Sequence, residues 1–250
     1  MQRFDHRTVI VTGGARGMGA SHARGFVAEG ANVVIADILE QEGRTLADEL
    51  GEHAIFSRLD VTSDRDWAAT VAAAEEAFGP VSVLVNNAGI VRFGPIAETA
   101  PATWRQVIDI NLTGSYLGIR AVVSSMRKAG GGAIVNISSG AGFTATFGLA
   151  AYVASKWGVR GLTKAARLSS GATTSASTRF TPGLFARRSS PITSRTPRRW
   201  RRRWRGQGWG YRRFRASPSL TRSRAWCCSS PPTRPASRRA RSSSPTAACC

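Results

Sequence analysis

Residues 7–19 read RTVIVTGGARGMG, and this stretch decides the fold. Its first half is a compact β-branched run that predicts a buried strand over residues 7–12. Four glycines follow, and residues 20–29 continue as a predicted helix. Glycines let the backbone turn tightly and approach a pyrophosphate, whose charge is favoured at a helix N-terminus. Because a strand precedes the glycines and a helix follows them, the stretch predicts a dinucleotide site rather than an ordinary turn.

The same alternation of strands and helices continues to residue 167. The remaining predicted elements are buried strands at residues 31–36, 54–59, 81–85 and 133–137, and helices at residues 38–51, 67–78 and 104–126. Strands separated by helices favour an α/β fold with a doubly wound parallel sheet. Asn111 lies inside the helix predicted at 104–126. Since Asn is a poor interior helix former, it needs either a solvated side chain or a specific role.

Polar or small residues follow two of these strands. Asp37 ends the second strand, where a carboxylate can accept hydrogen bonds from an adenosine ribose and repel a 2′-phosphate. This favours NAD over NADP, although Arg16 in the glycine loop could meet a phosphate; a plain strand-end carboxylate is the alternative for Asp37. Residues 86–89 read NNAG after the fourth strand. Their small side chains allow close approach to a ribose or nicotinamide, and the asparagines can link neighbouring strands.

Residues 136–156 read NISSGAGFTATFGLAAYVASK and contain candidate catalytic groups. Tyr152 and Lys156 are four residues apart, so they share one face of a helix. An ammonium beside a phenol favours the phenolate and lowers the tyrosine pKa towards neutrality, which suits proton exchange with an alcohol or carbonyl. Ser139 follows a buried strand, where its hydroxyl can polarise a substrate oxygen. Taken alone, the tyrosine–lysine pair is equally compatible with two exposed residues on a solvated helix.

Taken together, residues 7 to about 167 resemble the short-chain dehydrogenase/reductase family. The matching features, in order, are Thr12-Gly13-x-x-x-Gly17-x-Gly19, Asp60-Val61, Asn86-Asn87-Ala88-Gly89, Asn111, Ser139 and Tyr152-x-x-x-Lys156. The stretch GGARGMGASH, with KWGVRGLTK after the tyrosine, is most similar to the actinobacterial 3α(20β)-hydroxysteroid dehydrogenase branch.

The resemblance implies a single Rossmann-type domain, a catalytic tetrad and a bound NAD. The tetrad would be Asn111, Ser139, Tyr152 and Lys156, with Asn111 supporting a water relay to Lys156. The cofactor-binding residues would be Gly13, Arg16, Gly17, Met18, Gly19, Asp37, Asp60, Val61, Asn87, Ala88, Gly89, Tyr152 and Lys156. Expected chemistry is reversible hydride transfer between NAD(H) and a small secondary alcohol or ketone, with a hydroxysteroid as the favoured substrate. Members of the family usually form homotetramers.

After residue 167 the composition changes abruptly. All 15 acidic residues precede Leu168, whereas 19 of the 35 basic residues, all arginines, follow Arg167. The net charge is therefore +1 for residues 1–167 and +19 for residues 168–250. The second part contains all four cysteines but no valine or asparagine, and no β-branched run for a sixth strand begins near Ser175.

Three interpretations of this tail are open. It could bind nucleic acid, with Trp200, Trp204 and Trp209 stacking among arginines. It could be disordered, because arginine, serine and proline bury little surface. It could also be a frameshifted translation, and this can be tested on the sequence. When each original codon starts one base earlier, its last two bases are the first two bases of the codon for the residue that now occupies that position.

The frameshift interpretation is favoured strongly because it restores segments typical of the family. With GC-rich codons, residues 169–183 become ELGRDDIRVNSVHPG, 184–188 become LVRTP, 216–236 become RLAEPDEVARLVLLLASDEAS and 240–250 become GAEFVADGGLL. These resemble the family's sixth strand with its Pro-Gly turn, its late helix and its final strand. We call the product of this reading the frame-restored chain. The chain as it stands is then expected to lose its C-terminal strands, and a catalytically inactive enzyme is an alternative outcome.

The frameshift also limits what composition implies. The charge of +20 belongs almost wholly to the out-of-frame tail, so it is poor evidence for nucleic-acid binding. The pairs Cys227-Cys228 and Cys249-Cys250 lack metal-ligand spacing, and the histidines are scattered, so no metal is expected. Residues 1–167 have no cysteine, and no run approaches the ~18 apolar residues of a membrane span. These features favour a cytoplasmic enzyme without membrane or nucleic-acid partners.

Overall fold

The computed structural model of the chain describes residues 2–169 and 174–179, which belong to one compact unit. Strands and helices alternate along these residues. The strands are β1 (Thr8–Thr12), β2 (Asn32–Asp37), β3 (Ala54–Arg58), β4 (Val81–Asn86), β5 (Gly132–Ile137) and β6 (Thr174–Arg179). The helices are α1 (Gly17–Ala28), α2 (Glu40–Leu50), α3 (Asp64–Phe78), α4 (Pro101–Ile108), α5 (Gly114–Lys128) and α6 (Ala150–Ser169). No helix among the described residues is both long and apolar enough to cross a bilayer.

The six strands form one parallel sheet in the order β3-β2-β1-β4-β5-β6. The chain winds outward from β1 through β2 and β3, then returns to the other side of β1 and continues through β4, β5 and β6. β1 and β4 therefore flank the point where the winding direction reverses. In such sheets a crevice opens at the carboxyl ends of these two strands. The glycine loop follows β1 and Asn87 to Gly89 follow β4, so both segments lie at this crevice.

Each face of the sheet carries its own apolar core, because side chains along a strand alternate between the faces. On one face Ile10, Leu84 and Ile134 pack with Trp67 of α3 and Met126 of α5. The opposite face carries the intervening residues of the same strands, which pack against α1 and α2; the principal side chains there are Val9, Val11, Val33, Ile35, Ala20, Ala23 and Leu46. Parallel sheets require cover on both faces, and this arrangement explains why the strands are near-continuous apolar runs.

The predicted doubly wound sheet is confirmed, and its first five strands start and end within one residue of the predicted positions. Three helices begin three residues earlier than predicted, α1 at Gly17, α3 at Asp64 and α4 at Pro101. Ser63 explains the early start of α3, because its hydroxyl accepts a hydrogen bond from the Asp66 N–H at 3.1 Å. This cap satisfies a backbone donor that the first helical turn leaves without a partner.

The helix predicted at residues 104–126 is longer and is interrupted. It starts at Pro101, ends at Lys128 and contains a π-helical segment, Asp109–Thr113, between α4 and α5. Asn111 lies in this segment and is 1% exposed, so the solvated alternative for its side chain is wrong. π-Helical insertions occur frequently at functional sites because they aim a side chain that a regular helix would not.

The expectation that the sixth strand is lost needs a correction. Thr174–Arg179 forms β6, which pairs in parallel with Gly132–Ile137 along its whole length. Parallel pairing is made by backbone N–H and C=O groups, which every residue of the sequence TSASTR carries. The missing β-branched run therefore did not exclude a strand here. The frame-restored reading also places its sixth strand over these positions. The expected final strand lies outside the described residues.

Candidate active site

The glycine loop between β1 and α1 is shaped by close backbone contacts. Gly13 has a φ of +60°, and a Cβ there would lie 2.9 Å from the Cα of Ala88. A Cβ on Gly19 would collide with the carbonyl oxygen of Gly13. Any side chain at these two positions would thus separate the loop from the segment after β4. Glycine at both positions keeps the two loops of the crevice in contact.

The N-terminus of α1 suits an anion. The helix begins at Gly17 with no acidic residue in its first turn and no side chain capping its N–H groups. Unpaired N–H groups and the helix dipole both favour negative charge at such a terminus. Arg16 is exposed at the N-cap and Met18 is 42% exposed, so both predicted cofactor contacts border this terminus.

Thr12 ties the two loops together, a role that its residue type alone did not reveal. Its hydroxyl oxygen accepts hydrogen bonds from the backbone N–H groups of Asn87 and Ala88, each at 3.0 Å. The Asn87 amide in turn donates to the carbonyls of Thr12 at 2.9 Å and Gly13 at 3.1 Å. The residues predicted to contact the nicotinamide side are therefore fixed directly against the glycine loop.

Asp37 lies at the carboxyl end of β2 beside the glycine loop, as predicted. One carboxylate oxygen accepts a hydrogen bond from the Ala15 N–H at 3.0 Å and the other from the Leu39 N–H at 3.1 Å. The residue is 8% exposed. Because a carboxylate offers about four acceptor positions, these two bonds leave capacity for hydroxyl donors.

Asp60 and Val61 lie in the loop after β3. Asp60 Oδ1 accepts hydrogen bonds from both the backbone N–H and the hydroxyl of Thr62, at 2.9 and 2.7 Å. Val61 is buried, and its carbonyl accepts a hydrogen bond from the Trp67 indole at 2.9 Å. These contacts hold the loop in place. The assignment of Asp60 and Val61 to the cofactor-binding site stays a prediction.

Lys156 and Tyr152 share one face of α6. The Nζ of Lys156 lies 5.7 Å from the centre of the Tyr152 ring and donates a hydrogen bond to the carbonyl of Ile137 at 2.8 Å. Lys156 is only 5% exposed, and this burial lowers the pKa of its ammonium from 10.5 to about 8. Tyr152 is half-buried. The predicted pairing is thus present, and β5 holds the lysine in place through the carbonyl of Ile137.

Asn111 joins three elements through its amide. Its Oδ1 accepts a hydrogen bond from the Ile90 N–H at 2.8 Å, while its Nδ2 donates to the Ile90 carbonyl at 2.9 Å and to the Ser155 hydroxyl at 3.1 Å. The Ser155 hydroxyl donates onward to the Tyr152 carbonyl at 2.8 Å. Asn111 therefore fixes the segment after β4 against the turn of α6 that carries Tyr152 and Lys156.

Ser139 follows β5 and begins a short 3-10 turn, Gly140–Gly142. Its hydroxyl oxygen accepts a hydrogen bond from the Ala141 N–H at 3.2 Å, and the side chain is half-buried. That bond uses the oxygen as an acceptor and leaves the hydroxyl proton available for a substrate oxygen.

A cavity of about 910 Å³ brings these groups together. Ser139, Tyr152 and Lys156 line one part of it, with Asn87 and Gly89 beside them. A Cβ on Gly89 would come within 3.2 Å of Asn111 Oδ1 and 3.8 Å of Lys156 Nζ, so a side chain there would crowd both polar groups. The four residues predicted as catalytic therefore converge on one site next to the glycine loop.

A buried polar network beneath the cavity was only partly predicted. The Asn86 amide donates to Asn136 Oδ1 at 2.8 Å, which links β4 to β5 as the paired asparagines suggested. It also donates to the carbonyl of Ser115 at 3.2 Å, and the Asn136 amide donates to the Thr163 hydroxyl at 2.9 Å. The network thus locks α5 and α6 to the sheet. Serine and threonine on the inner faces of apolar helices are the available sequence signal for Ser115 and Thr163.

The sequence profile described as short chain dehydrogenase matches residues 7–189. The chain belongs to the short-chain dehydrogenase family. It is thus an oxidoreductase of the kind that acts on CH–OH groups.

Its relatives bear out the predicted branch. The chain is 48% identical to a 3-alpha-(or 20-beta)-hydroxysteroid dehydrogenase of Mycobacterium bovis over 195 residues, which is 78% of this chain and 74% of the relative. It is also 48% identical to the trans-4-hydroxycyclohexanecarboxylate dehydrogenase of Sinomonas cyclohexanicum over 178 residues, 68% of each chain. A cyclopentanol dehydrogenase of Comamonas testosteroni is 41% identical over 168 residues, 66% of this chain and 67% of the relative.

The residues of this chain fit a nicotinamide dinucleotide. Gly13 and Gly19, which carry no Cβ, leave room for the dinucleotide to approach the backbone of the loop. The uncapped N-terminus of α1 suits its pyrophosphate. Asp37 lies beside the glycine loop, where its carboxylate has acceptor capacity for hydroxyl donors. Lys156 and Tyr152 line the far end of the same crevice. The family's usual kind of cofactor thus matches the donors and acceptors present.

Proposed function

We propose that the frame-restored chain transfers a hydride between NAD(H) and a secondary alcohol or ketone, with Tyr152 as the general acid/base. The observation that carries this proposal is the convergence of Ser139, Tyr152, Lys156 and Asn111 beside the glycine loop. Bound NAD(H) supplies or accepts the hydride at the substrate carbon. The side chains of the protein bind the substrate oxygen and move its proton.

Each catalytic group has a distinct task. In the direction of reduction, the Ser139 hydroxyl donates a hydrogen bond to the substrate carbonyl oxygen and orients it. The Tyr152 hydroxyl donates the proton to that oxygen, and in oxidation the same group accepts it. The Lys156 ammonium would bind a ribose hydroxyl of the cofactor beside the Tyr152 ring, from which its Nζ lies 5.7 Å. With a pKa of about 8, Lys156 is mostly a cation at neutral pH.

Asn111 acts on this site through other residues. It holds Ile90, after β4, and Ser155, which bonds the Tyr152 carbonyl. The spacing between the crevice floor and the phenol therefore depends on Asn111. We also assign Asn111 the family's water relay towards Lys156.

A preference for NAD follows from Asp37. Asp37 is 8% exposed, and its carboxylate accepts a hydrogen bond from the glycine loop, near which the 2′-substituent of the adenosine ribose would lie. A ribose hydroxyl can donate to this carboxylate, whereas a 2′-phosphate would place negative charge against it. Arg16 is exposed and can turn towards solvent, so its charge offsets this repulsion only weakly.

For the substrate we propose a hydroxysteroid or another alicyclic secondary alcohol. The support is the names of the relatives, which are dehydrogenases of hydroxysteroids and of cyclohexane and cyclopentane alcohols. For residues 168–250 we propose a frameshifted origin, so the functional protein is the frame-restored chain. We infer a cytoplasmic location and a homotetramer for that form, in line with the family.

A pair of tyrosine variants tests the proposal. Tyr152→Phe removes only the phenolic hydroxyl, which is the proton donor, so turnover should fall by at least about a thousandfold while NADH affinity stays nearly unchanged. The matched control is Tyr116→Phe, because Tyr116 lies on α5 outside the cavity and is 48% exposed. Absorbance at 340 nm gives turnover, and cofactor fluorescence gives affinity. Near-normal turnover in Tyr152→Phe would exclude Tyr152 as the acid/base.

A further inference from the structure

The turn that follows β5 carries Ser139 and packs against α6. Ser139 is the N-cap of this turn, Gly140–Gly142, and we call residues 139–143 the Ser139 turn. Within the turn, the Gly142 N–H donates a hydrogen bond to the Ser139 carbonyl at 2.9 Å. Such internal bonds fix the shape of the turn. Its position relative to Tyr152 depends instead on the contacts that join the turn to α6.

Arg160 of α6 joins the helix to the Ser139 turn. Its Nη1 donates a partly buried hydrogen bond to the Gly142 carbonyl at 2.6 Å. Hydrogen bonds from a charged donor are shorter and stronger than those between neutral groups. Tyr152, Lys156 and Arg160 follow one another at intervals of four residues, so they form one row along the helix. The group that binds the turn is therefore on the same face of α6 as the proposed acid/base and its lysine.

Two aromatic rings contact the guanidinium of Arg160. Its Cζ lies 3.9 Å from the centre of the Phe143 ring and 5.5 Å from that of the Trp157 ring. A cation over the face of an aromatic ring is attracted by the ring's quadrupole, and the planar guanidinium can also stack on it. Phe143 belongs to the Ser139 turn and Trp157 to α6. The guanidinium thus binds the turn through both a hydrogen bond and a ring contact.

The backbone of the Ser139 turn lies directly on α6. A Cβ on Gly142 would come within 2.7 Å of Ser138 Oγ, 3.1 Å of the Lys156 carbonyl oxygen and 3.3 Å of Arg160 Cδ. The φ of Gly142 is not positive, so the lack of space rather than the backbone conformation favours glycine here. Any side chain at this position would push the turn away from the helix at the level of Lys156.

We propose that Arg160 is a positioning residue that holds the Ser139 hydroxyl at the correct distance from Tyr152. The inference rests on the proposed function, in which Ser139 orients the substrate oxygen and Tyr152 exchanges its proton. Both hydroxyls must reach the same oxygen atom, and a displacement of about 1 Å in such an arrangement can lower the rate about a hundredfold. Arg160 does not line the cavity, so it acts through the Ser139 turn.

A pair of arginine variants of the frame-restored chain tests the proposal. With cyclopentanone and NADH, Arg160→Ala should lower kcat per NADH-binding site by at least about tenfold and leave the Kd of NADH unchanged within about twofold. Counting NADH-binding sites corrects for any unfolded fraction. Arg167→Ala is the matched control, because Arg167 is exposed on the same helix, and it should change neither quantity. A near-normal kcat in Arg160→Ala, or equal losses in the two variants, would overturn the proposal.

A double-mutant cycle separates positioning from a general structural role. If Arg160 acts through Ser139, the Arg160→Ala change should lower the residual kcat of Ser139→Ala by less than about twofold, because the hydroxyl to be positioned is already gone. An undiminished loss, equal to that of Arg160→Ala in the unmutated background, would mean that Arg160 acts independently of Ser139. That result would overturn the proposal.

Two glycine variants test the position of the turn without changing Arg160. Gly142→Ala should displace the turn from α6 and lower kcat at unchanged NADH affinity, as Arg160→Ala does. The control is Gly161→Ala on the same helix, where a Cβ would meet nothing within 4 Å. This control should keep the full kcat. A full kcat in Gly142→Ala as well would contradict the need for a precisely placed turn.

Hydrogen exchange followed by mass spectrometry tests the contact without any turnover. Peptides that cover residues 139–144 should exchange faster in Arg160→Ala than in the unmutated frame-restored chain or in Arg167→Ala, because the turn opens more often. Unchanged exchange would overturn the proposal whatever the activity. A frame-restored chain that binds NADH but reduces no ketone would refute the proposed function instead, and the exchange rates would still decide whether Arg160 holds the turn.

Discussion

Lys156→Met in the frame-restored chain should remove part of the pH dependence of folding stability. In the folded protein burial lowers the pKa of Lys156 from 10.5 to about 8. Below pH 8 the lysine is protonated in both the folded and the unfolded state, and the full penalty of the buried cation is present. Between pH 8 and 10.5 the unfolded chain binds the extra proton, so folding stability rises with pH. The fall in pKa corresponds to about 3 kcal/mol.

Methionine fills similar space and cannot be charged, so the folding stability of the Lys156→Met chain lacks this pH dependence. We expect the stability difference, Lys156→Met minus unmutated, to fall by about 3 kcal/mol between pH 7 and pH 10.5, with most of the change complete by pH 10. The substitution also removes the hydrogen bond to the Ile137 carbonyl at every pH. This loss shifts the stability difference by a constant amount and does not change how the difference varies with pH. The Lys156→Met enzyme should be inactive throughout.

Urea unfolding at 25 °C, followed by circular dichroism at several pH values from 7 to 10.5, measures this difference. Lys164→Met is the matched control, because Lys164 lies on the same helix with an exposed side chain. Its stability should follow that of the unmutated chain in parallel at every pH. Parallel curves for Lys156→Met as well would refute the reasoning, since they would mean that Lys156 carries no burial penalty.

Three further outcomes are expected. The frame-restored chain should bind NADH more tightly than NADPH in a fluorescence titration, and Asp37→Ala should narrow the difference by roughly 1–3 kcal/mol; equal affinities without the mutation would contradict the role of Asp37. Asn111→Ala should destabilise the fold by roughly 2–3 kcal/mol in urea, because one buried and two partly buried hydrogen bonds are lost; a change below about 0.5 kcal/mol would mean that these bonds contribute little. The chain as it stands should lack a cooperative melting transition in calorimetry. It lacks the sequences of the late helix and final strand of the frame-restored chain, and domains hold only about 5–15 kcal/mol of stability in total. Cooperative melting together with alcohol oxidation would contradict this expectation.

The sheet was predictable because its strands are buried on both faces. Runs such as residues 7–12 and 31–36 are continuously apolar and β-branched, and helices separate them, which leaves a parallel sheet as the natural arrangement. The positions of the site residues followed from the same topology, because side chains after β1, β4 and β5 meet at one edge. Motif spacing then selected Tyr152 and Lys156.

Other features depended on contacts that no local pattern contains. The π-helical segment at Asp109–Thr113 carries Asn111, whose partners Ile90 and Ser155 are distant in sequence. The hydrogen bonds of the Thr12 hydroxyl to the segment after β4 likewise required the fold. Hydrophobic periodicity reports burial, and it carries no information about which polar groups meet inside the protein.

The sixth strand shows that composition can also miss a strand that forms by backbone pairing. The sequence TSASTR of β6 lacks the apolar run expected for a strand, yet its backbone pairs with β5 over six positions. Pairing depends on backbone groups and on the edge that β5 presents, whereas composition reports only how much apolar surface a strand can bury.

The most direct test of the central claim follows the hydride itself. The frame-restored chain is incubated with NADH that carries deuterium at both hydrogen positions of nicotinamide C4, together with cyclopentanone or a 20-keto steroid, and the alcohol product is analysed by mass spectrometry and proton NMR. We predict one deuterium on the carbinol carbon of the product and none when Tyr152→Phe replaces the unmutated chain. Alcohol formed without deuterium at that carbon, or no alcohol from any secondary ketone tested while NADH binds normally, would contradict the assignment.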